Sequence, residues 1–327
     1  MDKTPSLIFG IFPGITGTEN EMYRAALETY DPTQTDRALA QLQLPGQPFL
    51  VRGYTIYKGG GRVESETPPD VSRYFHSGRQ LDYVLCYRSS DGNLDDWKSF
   101  VRQTVRKHGS HLGALQITEE PNNPHAGTGG DGSSPNVRQA IIEGVVAAKD
   151  EAQRSGLTIA VGFNATPSFP NDDFWPDLGT RNSAAFLAAL DYVGLDFFPD
   201  VFRRIPFEDL QRAVEGVLHG FREVSLAAGG IPATVPIRIT ENGWPTTPSR
   251  TLERQCEVLE TVVRSIHQLR GALNITHYEF FALRDAKEGN PEELCQFGLL
   301  RMDYNAKPAF ETYRRLIAEL STPEADG

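Results

Sequence analysis

Two hydrophobic rhythms alternate along this chain. Short apolar runs bounded by Pro, Gly or Asn read as buried strands: Leu7–Pro13, Phe49–Tyr54, Leu81–Tyr87, a run from Ala114 to Glu120, Thr158–Asn164, Leu195–Phe198, Ile237–Glu241 and Ile275–Ala282. Between them the spacing changes to three and four. Leu94, Trp97, Val101 and Val105 give one face of a helix from Leu94 to Lys107, and Ile141, Val145 and Ala148 do so within Asn136–Arg154. A helix from Phe207 to about Ala227 stops at Gly229-Gly230. Leu252, Cys256, Leu259, Val263 and Ile266 mark another, and Phe310, Tyr313, Ile317 and Leu320 a last one opening at Pro308. Looser helical patterns cover Glu19–Tyr30 and Thr35–Leu42, with a short one at Val71–Phe75. Gly59–Gly61 and Pro68-Pro69 predict an irregular connection, and Phe174-Trp175-Pro176 an exposed loop.

The eight strand centres recur roughly every 40 residues, the repeat of a (β/α)8 barrel. A doubly wound sheet would need fewer strands and a Gly-rich first turn, whereas Phe12-Pro13-Gly14-Ile15-Thr16-Gly17 has no GxGxxG pattern. No linker divides the chain, so residues 1–327 read as a single-domain TIM barrel.

Composition narrows the partners. A net charge of -11 argues against a phosphate backbone or an anionic membrane surface, hence no nucleic acid and no membrane. Cys86, Cys256 and Cys295 lie far apart with no CxxC pair, giving neither a zinc site nor a disulfide framework and fitting a reducing compartment. The run Leu7–Pro13 is too short for a signal-peptide core, so the expected location is cytoplasmic. The histidines show no HExxH spacing, and His125–Gly132 lacks the GK[ST] ending of a phosphate loop; it is expected to shape a cleft. No metal or other cofactor is expected.

Two strands end on glutamate and then break: Thr118-Glu119-Glu120-Pro121-Asn122, and Ile239-Thr240-Glu241 before Asn242-Gly243-Trp244-Pro245. In a β/α barrel the C-terminal strand ends face one shared pocket, so Glu120 and Glu241 can meet despite their separation in sequence. A carboxylate pair suits glycosidic-bond hydrolysis: one protonates the departing oxygen, the other attacks the anomeric carbon or activates water.

The first motif resembles the Asn-Glu-Pro motif of clan A glycoside hydrolases, and the second resembles their nucleophile motif, with wording similar to family 17 β-1,3-glucanase-type enzymes. Tyr278–Leu283, Phe297–Leu300 and Lys307–Phe310 are also similar to the clan's C-terminal segments. The resemblance implies a carbohydrate substrate, Glu241 as nucleophile, Glu120 as acid/base and retention of configuration. It also implies that Arg52, on the second strand, holds the nucleophile's charge. Tyr54 and Asn164, at strand ends, are candidates for sugar hydroxyls, and Trp244 for stacking, with Trp175 behind it. Asp200 ends the sixth strand; His277 and Glu279 share one face of the eighth and read as a buried polar pair or as sugar ligands.

One departure stands out: Glu119 occupies the place where the clan has an Asn contacting the sugar 2-hydroxyl. An ionised carboxylate accepts but cannot donate, and would raise the pKa of a neighbouring acid. Strict strand alternation sends Glu119 and Glu120 to opposite faces, with Glu120 taken as the one that enters the pocket. A transglycosylase on the same barrel and an inactive carbohydrate-binding barrel are the rival readings. A metal-dependent hydrolase lacks a ligand set.

Overall fold

The computed structural model describes residues 6–14, 28–125, 129–169, 172–286 and 295–321. The strands are β1 Ile8–Ile11, β2 Phe49–Tyr57, β3 Val63–Thr67, β4 Arg79–Tyr87, β5 Leu112–Ile117, β6 Ala160–Ala165, β7 Tyr192–Asp196, β8 Ile237–Asn242 and β9 Ile275–Phe280. Eight are parallel and closed, because β1 pairs with both β9 and β2. That is the expected (β/α)8 barrel. β3 is the addition: it runs antiparallel to the end of β2 where an irregular connection was predicted. The fourth barrel strand is therefore β5 and the seventh β8.

Helices cover the outside. Leu94–His108 is capped by Asn93, which accepts from the backbone of Asp95 and Asp96, and it buries Trp97, Val101, Thr104 and Val105. Val137–Arg154, Leu252–Leu273 and Pro308–Leu320 bury the faces their periodicity marks, although Cys256 is only half-buried. Phe207–Gly220 continues through a π-helical turn, Phe221–Leu226. The predicted helix over Glu19–Tyr30 lies mostly outside the described residues. Among the described residues no helix is long and apolar enough to cross a membrane.

Three expectations need correction. Phe174–Arg181 is a helix, not an exposed loop, and Trp175 is buried against Phe163, Phe174 and Phe221. β7 starts earlier than Leu195 and ends at Asp196, because Gly194 lets the strand pass close to its neighbours; a Cβ there would lie 2.4 Å from Thr240 Oγ1. β5 ends at Ile117, three residues short of Glu120, since Thr118 and Glu120 take left-handed backbone (φ 69 and 38).

The two faces of the barrel wall differ sharply. Outward positions such as Val51, Leu85, Leu115, Ile117, Val193, Ile237 and Ile239 join one apolar core with the helices. Inward positions carry Arg52, Asp82, Gln116, Asn164, Asp196, Arg238, His277 and Glu279, all buried.

Candidate active site

At the C-terminal end of the lumen, β2 presents Arg52 and Tyr54, two residues apart and so on one face. The sequence placed both at a strand end, but β2 runs on to Tyr57, so both sit within the barrel wall. Arg52 is fully buried and donates to Asp82 Oδ2 at 2.5 Å and Gln116 Oε1 at 2.9 Å. It also lies 3.6 Å from Glu119 Oε2 and 3.7 Å from Glu241 Oε1. The Tyr54 hydroxyl donates to Glu241.

Glu241 reaches the lumen through a register slip. Leu195 pairs with Ile239 but Asp196 with Glu241, and this bulge turns both Thr240 and Glu241 inward. Gly243 next to it admits no side chain, since a Cβ would fall 1.9 Å from the Phe281 carbonyl oxygen.

On the β5 side, the left-handed residues Thr118 and Glu120 break the alternation, so Glu119 and Glu120 both approach the lumen. The question of which one enters disappears. Glu119 Oε2 accepts from Gln116 Nε2 at 2.7 Å and Asn164 Nδ2 at 3.2 Å. Glu120 donates its backbone N–H to Asn164 Oδ1 at 2.8 Å, and its Oε2 accepts from Asn123 Nδ2 at 3.0 Å. Asp131, from the described part of the Gly-rich loop, clamps the turn: it accepts the N–H groups of Tyr87 at 2.5 Å and Glu119 at 2.8 Å.

Glu119, Glu120 and Asp196 each bring an oxygen within 4.8 Å of the others. Such a trio has the donor chemistry for a cation, yet several of its oxygens already accept hydrogen bonds. Asp196 accepts from Thr240 Oγ1 at 2.5 Å and from Asn164, and Glu119 from Gln116 and Asn164. The arrangement suits shared protons better than a metal.

Burial raises Glu119 well above the usual carboxylate range, and Glu241 and Asp196 add to it. Asp196 is raised by burial and by Glu241. Glu120 is pushed up to about 7, by its enclosure first and by the charge of Glu241 second, with Asn123 opposing. Burial also raises Glu241, but Arg52, Tyr54 and Glu119 pull it back. One carboxyl is thus held as an acid near neutrality beside another whose charge is supported, the separation that divides acid from nucleophile.

The other predicted residues separate into two places. Glu279 and His277 lie deeper in the lumen. Glu279 is fully buried; burial raises its carboxyl, as does the neighbouring Asp82. His277 meets Thr276 Oγ1 at 2.8 Å, and burial, then Arg238, keeps it well below its ordinary value and neutral. The reading as buried polar groups therefore describes both.

Asp200 and Trp244 sit outside the lumen. Asp200 accepts from the Ile205 N–H at 2.7 Å and Trp244 Nε1 at 3.2 Å. Arg250 lies over the indole, 4.9 Å from its centre, and donates to the carbonyls of Asp200 and Val201. Trp244 is 2% exposed and one face carries a guanidinium, so its surroundings do not offer the stacking plate expected of it. Both residues border a cleft of about 550 Å³ with Arg204, Arg250 and Arg254.

Sequence reasoning missed Asp82, Gln116, Asp131 and Asp196. A signal existed for the first two and the last: each is a polar residue inside a strand that otherwise reads as apolar.

No protein-family model matches the chain, and no curated protein matches its sequence. Solved structures match its fold. β-Glucuronidase from Ruminococcus gnavus in complex with D-glucuronic acid superposes with TM-score 0.60 and 12% identity, over 95% of this chain and 49% of that one. A GH2 β-galacturonidase from Eisenbergiella tayi bound to galacturonate gives 0.60 and 10%, over 97% and 52%. β-D-Glucuronidase of Dictyoglomus thermophilum gives 0.60 and 9%, over 97% and 51%. This chain spans about half the length of those proteins. The shared feature is the barrel, a fold used by these glycosidases.

Proposed function

We propose that this protein is a retaining glycoside hydrolase, a single catalytic domain of barrel form acting on a carbohydrate substrate. The observation that carries the reading is the pairing at the mouth of the lumen. Glu241 is held by Arg52 and Tyr54, and Glu120, an acid near neutrality, stands in the same cluster. The glycosidase barrels of the structural neighbours support it, as do the motifs around both glutamates.

Glu241 attacks the anomeric carbon and forms a glycosyl ester while the aglycone oxygen departs with the Glu120 proton. Glu120, now ionised, takes a proton from water, which displaces Glu241 and regenerates both groups. No cofactor enters either step. Glu119 is the group placed for a sugar hydroxyl, and Asn164 holds it together with the Glu120 backbone and Asp196. Asp200 and Trp244 hold the loops around the cleft. The three cysteines, far apart in the sequence and with no CxxC pair, fit a cytoplasmic setting.

The test is Glu241→Ala on an activated aryl glycoside from a panel that includes glucuronides. Hydrolysis is expected to fall by on the order of 10⁴-fold or more. Azide is expected to restore turnover and give a glycosyl azide of inverted configuration. Unchanged hydrolysis by the variant removes Glu241 from the mechanism. Added sugar acceptors distinguish a transglycosylase by its coupled products. Sugar binding without bond cleavage by the unaltered protein marks an inactive binder.

A further inference from the structure

The lumen holds more acids than its cations can balance. Arg52 and Arg238 face Asp82, Glu119, Asp196, Glu241 and Glu279, with Glu120 at the rim. Protons must make up the difference, and geometry indicates where one of them sits. Three enclosed carboxyl groups whose oxygens lie within 4.8 Å of one another, as those of Glu119, Glu120 and Asp196 do, cannot all stay ionised, and the Arg52 guanidinium that faces Glu119 at 3.6 Å also faces Glu241 at 3.7 Å. Glu241 has the Tyr54 hydroxyl as a donor and Arg52 at 3.7 Å, so its charge is supported. Glu119 is crowded instead by the oxygens of Glu120 and Asp196. Its Oε2 is filled by two amide donors, from Gln116 and Asn164, which leaves the other oxygen to carry a hydrogen towards Glu241.

We propose that Glu119 works as a neutral carboxylic acid, donating its O–H to Glu241 and, when a glycoside binds, to the hydroxyl next to the reacting carbon. This rests on the glycosidase reading. It resolves the departure at this position: an ionised carboxylate cannot donate as an amide does, but a protonated one donates through O–H and accepts through its carbonyl. Glu119 therefore positions Glu241 in the free protein and contacts the sugar directly in the complex. The strong upward shift at Glu119 from burial and neighbouring charge agrees with it. The groups facing Glu119 are Arg52 and Tyr54 from β2, Cys86 from β4, Asp196 from β7, Glu241 from β8, and Glu120 and Asp131 beside it.

Two measurements test it. The first is an infrared difference between the unaltered protein and Glu119→Gln at neutral pH, which needs no turnover. Loss of a protonated-carboxyl carbonyl band is expected, and loss of carboxylate bands alone overturns the proposal. The second uses a dinitrophenyl glycoside, whose leaving group needs no proton, so Glu120 is silent in the first step. Glu119→Ala is expected to lose on the order of 10²–10³-fold in kcat/KM, as when one transition-state donor is removed. Glu119→Gln, which keeps both a donor and an acceptor, is expected to recover most of that loss. The fall of kcat/KM at alkaline pH in the unaltered protein should be absent in Glu119→Gln. A glutamine variant as impaired as the alanine one, or with the same alkaline fall, overturns the proposal. If no glycoside turns over while the infrared band is lost, the glycosidase reading fails and the protonation assignment stands.

Discussion

The inner and outer faces of the barrel wall are made by the same strands, yet they obey different physics. Outside, Leu, Ile, Val and aromatic side chains fill an apolar annulus, where the water-release effect acts without direction and close packing sets the cost of change. Inside, charged and amide groups are enclosed, where each must have a partner or change its protonation state. The comparison teaches that burial alone says little about purpose. A buried residue in the annulus serves folding, while one in the lumen costs stability unless it is partnered or protonated.

Substitutions should separate the two layers. The largest effect on stability is expected in the annulus: Trp97→Ala removes a fully buried indole bonded to the Ala140 carbonyl. It should cost about 3–5 kcal/mol in denaturant unfolding, equally at pH 5 and pH 8, with unchanged activity per folded molecule. A smaller effect, now on rate, is expected from Arg52→Lys. One ammonium cannot reproduce the fork that holds Asp82 and Gln116 and faces Glu119 and Glu241. kcat/KM should fall by about 10²-fold. Its acid limb should move to higher pH, because Glu241 loses part of the pull that lowers it.

The pH profile offers a third distinction. With a leaving group that needs protonation, kcat/KM should decline as pH rises through about 7, where Glu120 gives up its proton. Glu120→Gln should abolish that limb, and a limb that survives would take Glu120 out of the acid role.

The smallest effect, and one of opposite sign, is expected at Glu279→Gln. Burial raises this carboxyl in the folded state, so the native protein keeps a proton that the unfolded chain releases. Its stability contribution is full below the ordinary carboxylate pKa and is lost as pH rises towards the folded value. The glutamine variant should therefore be more stable at pH 8 than the unaltered protein by about 1 kcal/mol, or roughly 1–2 °C in Tm for a chain of this length. At pH 5 the gain should shrink. A gain of the same size at both pH values would show that protonation is not its cause.

Much of the annulus was legible because hydrophobic spacing states it directly: Trp97, Val101 and Val105 report their helix face, and the 40-residue repeat reports the barrel. The lumen was less so. Asp196 escaped although it lies inside the predicted run Leu195–Phe198, because the strand was carried past its true end at Asp196 and Asp200 was taken as the residue at its rim. Trp175 was read as exposed because Pro176 follows it, although proline is tolerated in a helix's first turn. The relation of Glu119 to Glu120 could not be read at all. A period of two predicts opposite faces, and only the left-handed residues at 118 and 120 turn both inward. A bulge does the equivalent for Glu241. The rule fails at the two strand ends that carry the candidate chemistry.

The left-handed backbone at Glu120 has one more implication. A side chain there carries a steric penalty of roughly 1 kcal/mol that glycine would not. A variant library sorted for thermal tolerance should therefore enrich glycine at this codon, while one sorted for sugar release should reject it. The disagreement between the two enrichment profiles would mark position 120 without any knowledge of the reaction.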